Sequence, residues 1–428
     1  MSRTALAAVL LGYVLSHAPV VHAQTEDAMA QVLRRLEQLE RKNEELTREL
    51  EALKQRSAAA PAAHVAQAPA QQAPAQVATA AAAATPPDGW ASRILFKGDL
   101  RYRHENIDNA AAADDRTRDT LRARFGAAIK VNDDIDGEIA IASGGRDARG
   151  ASSVLGAGSS RKDIGLDLAY MTWRPLDGVA LAAGKMRQPF ARPTLNAFID
   201  NEIRPEGLAL SLEHGSGVFG SAFHFWLEER PVDAESTLSG AQLGWSRQFD
   251  AFQLKGAVSY FDYGGVQGRF PGFGEGVVGA FGNSTVGAGA DARYVFDYDV
   301  AEAYAEATLR IAGAPFAVFA DYARNGAAND GLDTAWSAGV LFGKANQPGR
   351  WEVGAMLQDI DKDALFGHWI DSDFAGGVAD NRGQLYRVAY MALRNLLINA
   401  TYLETRFNVD EGLETDYDRW QLDFNFMF

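Results

Sequence analysis

The chain has 428 residues, 47% of them hydrophobic and 23% charged, with a net charge of -15 and no cysteine. This is too long for one ordinary soluble domain and too apolar for a disordered chain, and it rules out disulfides, Cys-based metal sites and thiol chemistry. The acidic balance argues against a nucleic-acid partner, since neutralising phosphates takes a dense basic surface, but suits one that meets divalent cations or anionic lipopolysaccharide.

Residues 1–23 carry Arg3, an apolar run from Ala5 to Leu15, and Val21-His22-Ala23 where a signal peptidase reads small residues. This predicts a secretory signal peptide cleaved before Gln24, its run too short for a permanent anchor. Over 24–57, Met29, Val32, Leu36, Leu39, Asn43, Leu46, Leu50 and Leu53 advance by alternating threes and fours, the seam of a periplasmic α-helical coiled coil. Arg35 before Glu40 and Glu49 before Lys54 favour parallel chains, and Asn43 fixes register. A parallel homo-oligomer follows, its strand number left open by the heptads. From Ser57 to Pro87 there is no charged residue and little but Ala, Pro, Gln and Thr, so 58–88 reads as an extended linker.

Residues 89–428 change texture. Short alternating segments are separated by Gly, Asn and Asp, while no stretch has the ~18 unbroken apolar residues of a spanning helix. Ile94, Phe96, Leu100 and Tyr102 alternate with Lys97, Asp99, Arg101 and Arg103; Leu121, Ala123, Phe125 and Ile129 alternate with Arg122, Arg124 and Lys130. Fourteen further segments follow, at 136–143, 164–174, 179–187, 207–214, 218–228, 238–249, 252–261, 298–312, 315–324, 334–344, 350–360, 383–393, 396–405 and 417–428. Several divide in the same way, with Phe219, Phe223, Phe225 and Leu227 on one side of the seventh strand. The predicted fold is all-β: a transmembrane antiparallel barrel of about 16 strands, a size that leaves a water-filled lumen rather than a side-chain plug. Turns such as Pro175-Leu176-Asp177-Gly178 and Arg394-Asn395 alternate with long connections near 105–118, 144–163, 188–206, 262–297 and 361–381, which places the turns in the periplasm and the long loops outside.

The last strand sets Trp420, Leu422, Phe424, Phe426 and Phe428 against Gln421, Asp423, Asn425 and Met427. A chain that ends on such a strand, at a terminal Phe, resembles a bacterial outer-membrane β-barrel, in which it closes the sheet against the first strand. The run Ala169-Tyr170-Met171-Thr172-Trp173-Arg174-Pro175-Leu176-Asp177-Gly178, followed by Ala183-Gly184-Lys185-Met186-Arg187-Gln188-Pro189-Phe190, resembles the porins related to the phosphate-selective porins O and P. The signal, the coiled coil and Phe428 are similar too. The resemblance implies a porin barrel in the outer membrane of a Gram-negative bacterium, assembled as a trimer and embedded in lipid and lipopolysaccharide.

Charge on the lipid face costs about 2–4 kcal/mol near the midplane, so the charged phase of each strand belongs in the lumen. Lys97, Arg101, Arg103, Arg122, Arg124, Lys130, Lys185 and Arg187 thus form an expected basic ladder that attracts anions. The loop 188–206, with Arg192, Asp200, Glu202, Arg204 and Glu206, is expected to fold inward and set carboxylates against that ladder.

Gly274, Gly276 and Gly279 have dinucleotide-loop spacing but no strand–turn–helix unit around them. Asp359, Asp361 and Asp363 begin like a calcium loop, yet Ala364 and Ile370 occupy the required Gly and Glu positions; with Asp371 and Asp373 they read as solvated loop acids. His104, His214, His224 and His368 are scattered, with no triad or metal spacing. The expected function is passive diffusion of small hydrophilic or anionic solutes, with no cofactor, metal or catalysis. The alternative is a structural tether to peptidoglycan through the coiled coil; an outer-membrane hydrolase is the weakest reading.

Overall fold

The computed structural model describes residues 89–428 except 231–233 and 275–276, together with Arg41. The expected signal peptide, the coiled coil with its seam from Met29 to Leu53, the linker 58–88 and Gly276 lie outside the described residues.

Sixteen strands form the barrel: β1 (94–109), β2 (116–130), β3 (135–143), β4 (164–176), β5 (179–185), β6 (206–213), β7 (218–228), β8 (236–248), β9 (252–264), β10 (298–311), β11 (314–325), β12 (334–343), β13 (351–360), β14 (381–393), β15 (396–407) and β16 (415–427). Each pairs antiparallel with the next, and β16 pairs with β1 from Asn109↔Tyr417 to Asp99↔Met427. Phe428 continues the seam: its N–H donates to the Gly98 carbonyl at 3.0 Å, and Gly98 donates back at 2.9 Å. Its ring lies over Gly98, where a Cβ would stand 2.6 Å from it. The sheet has no free edge, which removes the aggregation hazard of an open apolar strand. The first long connection shrinks to 110–115, because the segment from His104 to Asn109, polar apart from the inward Ile107, extends β1 beyond the apolar band.

Outside, aromatic residues recur at fixed separation. Phe96 and Tyr102, Phe316 and Tyr322, Trp336 and Phe342, and Trp420 and Phe426 are each six residues apart on outward-facing phases, or about 20 Å along a strand. Leu100, Val318, Val340 and Leu357 are exposed between such positions. Two aromatic girdles around an apolar band match a barrel wetted by lipid.

Inside, the lumen is not uniformly open. Phe223, Phe225, Leu238, Phe261, Tyr298, Val300 and Ile360 of β7–β10 and β13 form one buried apolar cluster with Phe190, Phe198, Ile199, Phe273, Tyr294, Phe366, Trp369 and Ile370 of the long connections. Two expectations are thereby corrected. The interior is partly dry, and β7 is inverted: Phe223 and Phe225 are 6% and 0% exposed, whereas Trp226 is 48% exposed. The inward aromatic row has partners there. Phe190 of the loop after β5 packs on Phe223 and Phe261 at 5.3 and 5.1 Å, and Gly240 of β8 leaves the space that the Phe223 ring fills, since a Cβ would stand 2.5 Å from it.

Candidate functional site

The inward phase of β1 runs Lys97, Asp99, Arg101, Arg103, Glu105, and the register sets it against Gly126, Arg124, Arg122, Thr120 and Arg118 of β2. Arg101 is therefore directly opposite Arg122, a repulsive pairing unless counter-charges intervene. They do. Asp99 accepts from Arg122 Nε and Nη2 at 3.0 and 2.9 Å and from Arg124 at 2.7 Å. Glu202 of the loop 188–206 takes a hydrogen bond from Arg122 and stands 3.8 Å from Arg101. Arg101 donates to Ser152 Oγ at 2.7 Å, while its buried Nε has no partner.

Across the β16–β1 seam, Asp423 is opposite Arg103 and receives two of its hydrogen bonds, at 2.6 and 3.0 Å. The third goes to Asp373 at 2.8 Å. Arg419 of β16 bonds Glu105 and lies 2.9 Å from Asp373, and Arg118 also bonds Glu105. These groups border a cavity of about 760 Å³ lined by ten arginines and eight carboxylates, with Asn425 in register with Arg101 and Asn399 and Thr401 on the next strand.

Two long connections narrow it. The segment 188–206 crosses the interior. Ala191 exchanges hydrogen bonds with Gln242 of β8 at 2.8 and 2.9 Å, Thr194 bonds Glu306 of β10 at 2.9 and 2.6 Å, and Asn196 bonds Asp321 of β11 at 2.8 Å, before Glu202 returns to β2. The segment 361–380 lies alongside: Asp200 N–H donates to the Trp369 carbonyl at 2.7 Å, and Ser372 N–H to Asp200 Oδ2 at 3.0 Å. Burial, then the neighbouring Asp371, pushes the Asp200 carboxyl well up. Burial, then Asp373, pushes Asp371 up to about 6. Burial acts the same way on Asp373 but is outweighed by Arg103 and Arg419, which hold it well below the usual range. Burial also opposes ionisation of Glu202, and Arg122 and Arg101 prevail, keeping it low.

The remaining expected residues scatter. Lys97 and Arg187 both pair with Glu138 of β3, at 2.8 and 2.5 Å. Lys130 is exposed beside the first turn, 2.8 Å from Asp133. Lys185 is in register with Ala169 and Glu206, in phase with the outward Leu181, and pairs with Glu206 at 2.7 Å. Arg192 is turned back onto the Ile199 carbonyl and Asn201, and Arg204 onto Asp167 at 3.5 Å. Asp371 and Asp373 are corrected from solvated loop acids to part of the inner network. Sequence reasoning missed the counter-charges Asp99, Glu105, Glu138 and Asp423 and the arginines Arg118 and Arg419. The same period of two marked them as inward, but their pairing crosses as many as 320 residues of chain.

Of the histidines, His104 bonds Asp119 at 2.7 Å on the outer face, His214 bonds Ser216 and His224 bonds Ser239. His368 lies among Phe273, Phe281 and Phe366, where burial, then Arg149, pushes its pKa down to about 3.

Residues 107–273 match the family model described as "Putative porin". The chain is porin-like. The barrel is also similar to that of OprB from Pseudomonas putida, with a TM-score of 0.55 at 12% identity, covering 79% of this chain and 95% of that one. An engineered porin of Rhodopseudomonas blastica aligns at 11% identity and a TM-score of 0.46, over 78% of this chain and all of that one. No curated protein matches by sequence. The family description names no solute, so any preference has to be argued from the lining of this barrel.

Proposed function

We propose that this porin is an outer-membrane channel for passive diffusion of small hydrophilic solutes, with a preference for anions of the phosphate kind. The observation that carries the preference is the cavity lining. Ten arginines against eight carboxylates leave +2 when every carboxylate is ionised, within a chain of net charge -15. Low-dielectric walls focus such a field on solutes entering the pore. Arg101 and Arg122 stand directly across from each other on that lining, which concentrates positive charge at one level of the wall. The ladder is thus a proposal about a part of the predicted set, Arg101, Arg103, Arg122 and Arg124, with the counter-charges setting how strong it is. Recording from the purified channel in a planar bilayer under a KCl gradient tests it. Arg101→Glu with Arg122→Glu takes the lining to -2 and should move the reversal potential towards cation preference; an unmoved potential would remove the anion reading.

Assembly as a homo-oligomer, a trimer by family resemblance, gains support from the wall. β5 and β6 have only seven and eight residues, short of the ~9–11 that a tilted strand needs to cross the hydrocarbon. Beside them Met171, Trp173, Leu181 and Leu208 are exposed. A neighbouring copy covers such a low wall better than lipid does. Cross-linking from Cys introduced at Leu181 should give covalent oligomers, and Cys at Leu357, on the far wall, should not. The peptidoglycan tether depends on the heptads of residues 24–57, and deleting them while monitoring envelope integrity tests it.

A further inference from the structure

Behind the loop 188–206, on the wall away from the arginine cavity, lies a row of buried oxygens without partners. Tyr304 of β10 is in register with Asp321 of β11, Asp321 with Ser337 of β12, and Ser337 with Gln358 of β13. Glu302 precedes Tyr304 by two residues and shares its inward face. The five side chains are between 1% and 5% exposed. In each, one polar atom has no hydrogen-bond partner: Glu302 Oε2, Tyr304 OH, Asp321 Oδ1, Ser337 Oγ and Gln358 Oε1. Such atoms are costly to bury, and native structures rarely leave several together.

The chemistry of the row is uniform. All five atoms are oxygens, two of them from carboxylates, the donor set of a hard cation. The nearby guanidinium of Arg192 donates its hydrogen bonds to the Ile199 carbonyl and Asn201 and acts on Glu302 and Asp321 only through space, so it fills the hydrogen-bonding capacity of neither carboxylate. The other oxygen of Asp321 is held by Asn196 at 2.8 Å, which leaves Oδ1 free. Adjacent strands are about 4.8 Å apart, so the longer Tyr304 and Gln358 side chains can reach towards Asp321 and Ser337 from either side. Among the described residues no three carboxylate or imidazole side chains are placed to hold one metal ion between them, so a cation here has to be completed by neutral oxygens, and the row supplies three.

We propose that Glu302, Tyr304, Asp321, Ser337 and Gln358 bind one hard divalent cation of the calcium kind behind the inward loop. Through Asn196 on Asp321, the ion also braces the loop against the wall. The site is separate from the anion path, and its failure leaves the pore reading intact.

The test uses the full chain folded in detergent, equilibrated with calcium chloride and then washed briefly with EGTA, with retained calcium counted by elemental mass spectrometry. Wild type should keep one calcium ion per chain, Asp371→Asn should keep it too, and Asp321→Asn should lose it. Should Asp321→Asn not refold, Ser337→Ala combined with Gln358→Leu keeps both carboxylates and should weaken calcium binding by about tenfold or more. Wild type that retains no calcium would mean that the row holds water or protons and would overturn the proposal. So would retention that neither variant lowers.

Discussion

The two halves of the lumen solve the same problem in opposite ways. Around β14–β16, β1 and β2, many inward side chains are charged and reach the cavity as a network of ion pairs; around β7–β9 and the long-loop ends of β10–β13, inward aromatics and aliphatics meet loop side chains in a dry core. A barrel fixes only which residues point in. What they meet is decided by the connections: 188–206 and 361–380 bring Glu202 and Asp373 to the arginines but Phe198 and Phe366 to the aromatics. The dry half holds the loops, and the wet half remains open to solute.

The sharpest way to break that division is on the dry side. The Phe366 ring lies 5.1 Å from both Tyr263 and Phe273 and 5.7 Å from Tyr298. Phe366→Ala is expected to cost about 3–5 kcal/mol, read as an earlier unfolding midpoint in denaturant. Ion preference should hold wherever the channel stays folded, because no charge changes. On the wet side, Arg103→Leu leaves Asp423 and Asp373 facing each other without their shared cation. About 2–3 kcal/mol is expected, less than for a fully buried pair because the cavity admits water. Here, unlike the aromatic case, a second substitution should help: Asp423→Leu added to Arg103→Leu should recover part of the loss. If the double variant is no better than the single one, the two halves are not held by different forces.

Much of this was legible from a period of two. The strand count and the inward phase of Arg101, Arg103, Arg122 and Arg124 follow from alternation, while the closing seam at Phe428 was expected from the resemblance to outer-membrane barrels. The inverted β7 was not, because Phe219, Phe223 and Phe225 make an apolar row that suits lipid and a docked loop equally; only Phe190 and Gly240 decide it. Nor could Asp423 be matched to Arg103, since barrel closure rather than sequence proximity brings them together. Lys185 follows a glycine at φ 123°, at the long-loop end of a short strand, where the phase of the alternation was ambiguous.

Acidification sharpens the comparison with a smaller effect. The Asp371 carboxyl is raised from its ordinary 3.8 to about 6, so the folded protein holds that proton more tightly than the unfolded chain does. Its contribution to stability is complete below pH ~4 and is lost as pH rises through 6. Between pH 7 and 5 the cavity lining gains up to one positive unit there, while Asp373, held low by Arg103 and Arg419, stays ionised. The proposed anion preference should therefore grow on going from pH 7 to 5, and Asp371→Asn should already show the greater preference at pH 7 and lose most of the change. His368 should not contribute, since its pKa of about 3 keeps it neutral across that range.

The smallest effect separates the position of a charge from its mere presence. Lys130 and Lys185 carry the same sign as Arg101 and Arg122, but Lys130 lies by the first turn with 61% of its side chain exposed, and Lys185 is paired with Glu206 on the outward phase. Neither lines the arginine cavity. At physiological salt the Debye length is about 8 Å, so charges outside the constriction are screened from a solute within it. Lys130→Gln and Lys185→Gln should each leave the reversal potential where it is, even though each removes as much charge as Arg122→Gln. A shift equal to that of Arg122→Gln would mean that net charge, and not the arginine wall against its loop carboxylates, sets the preference.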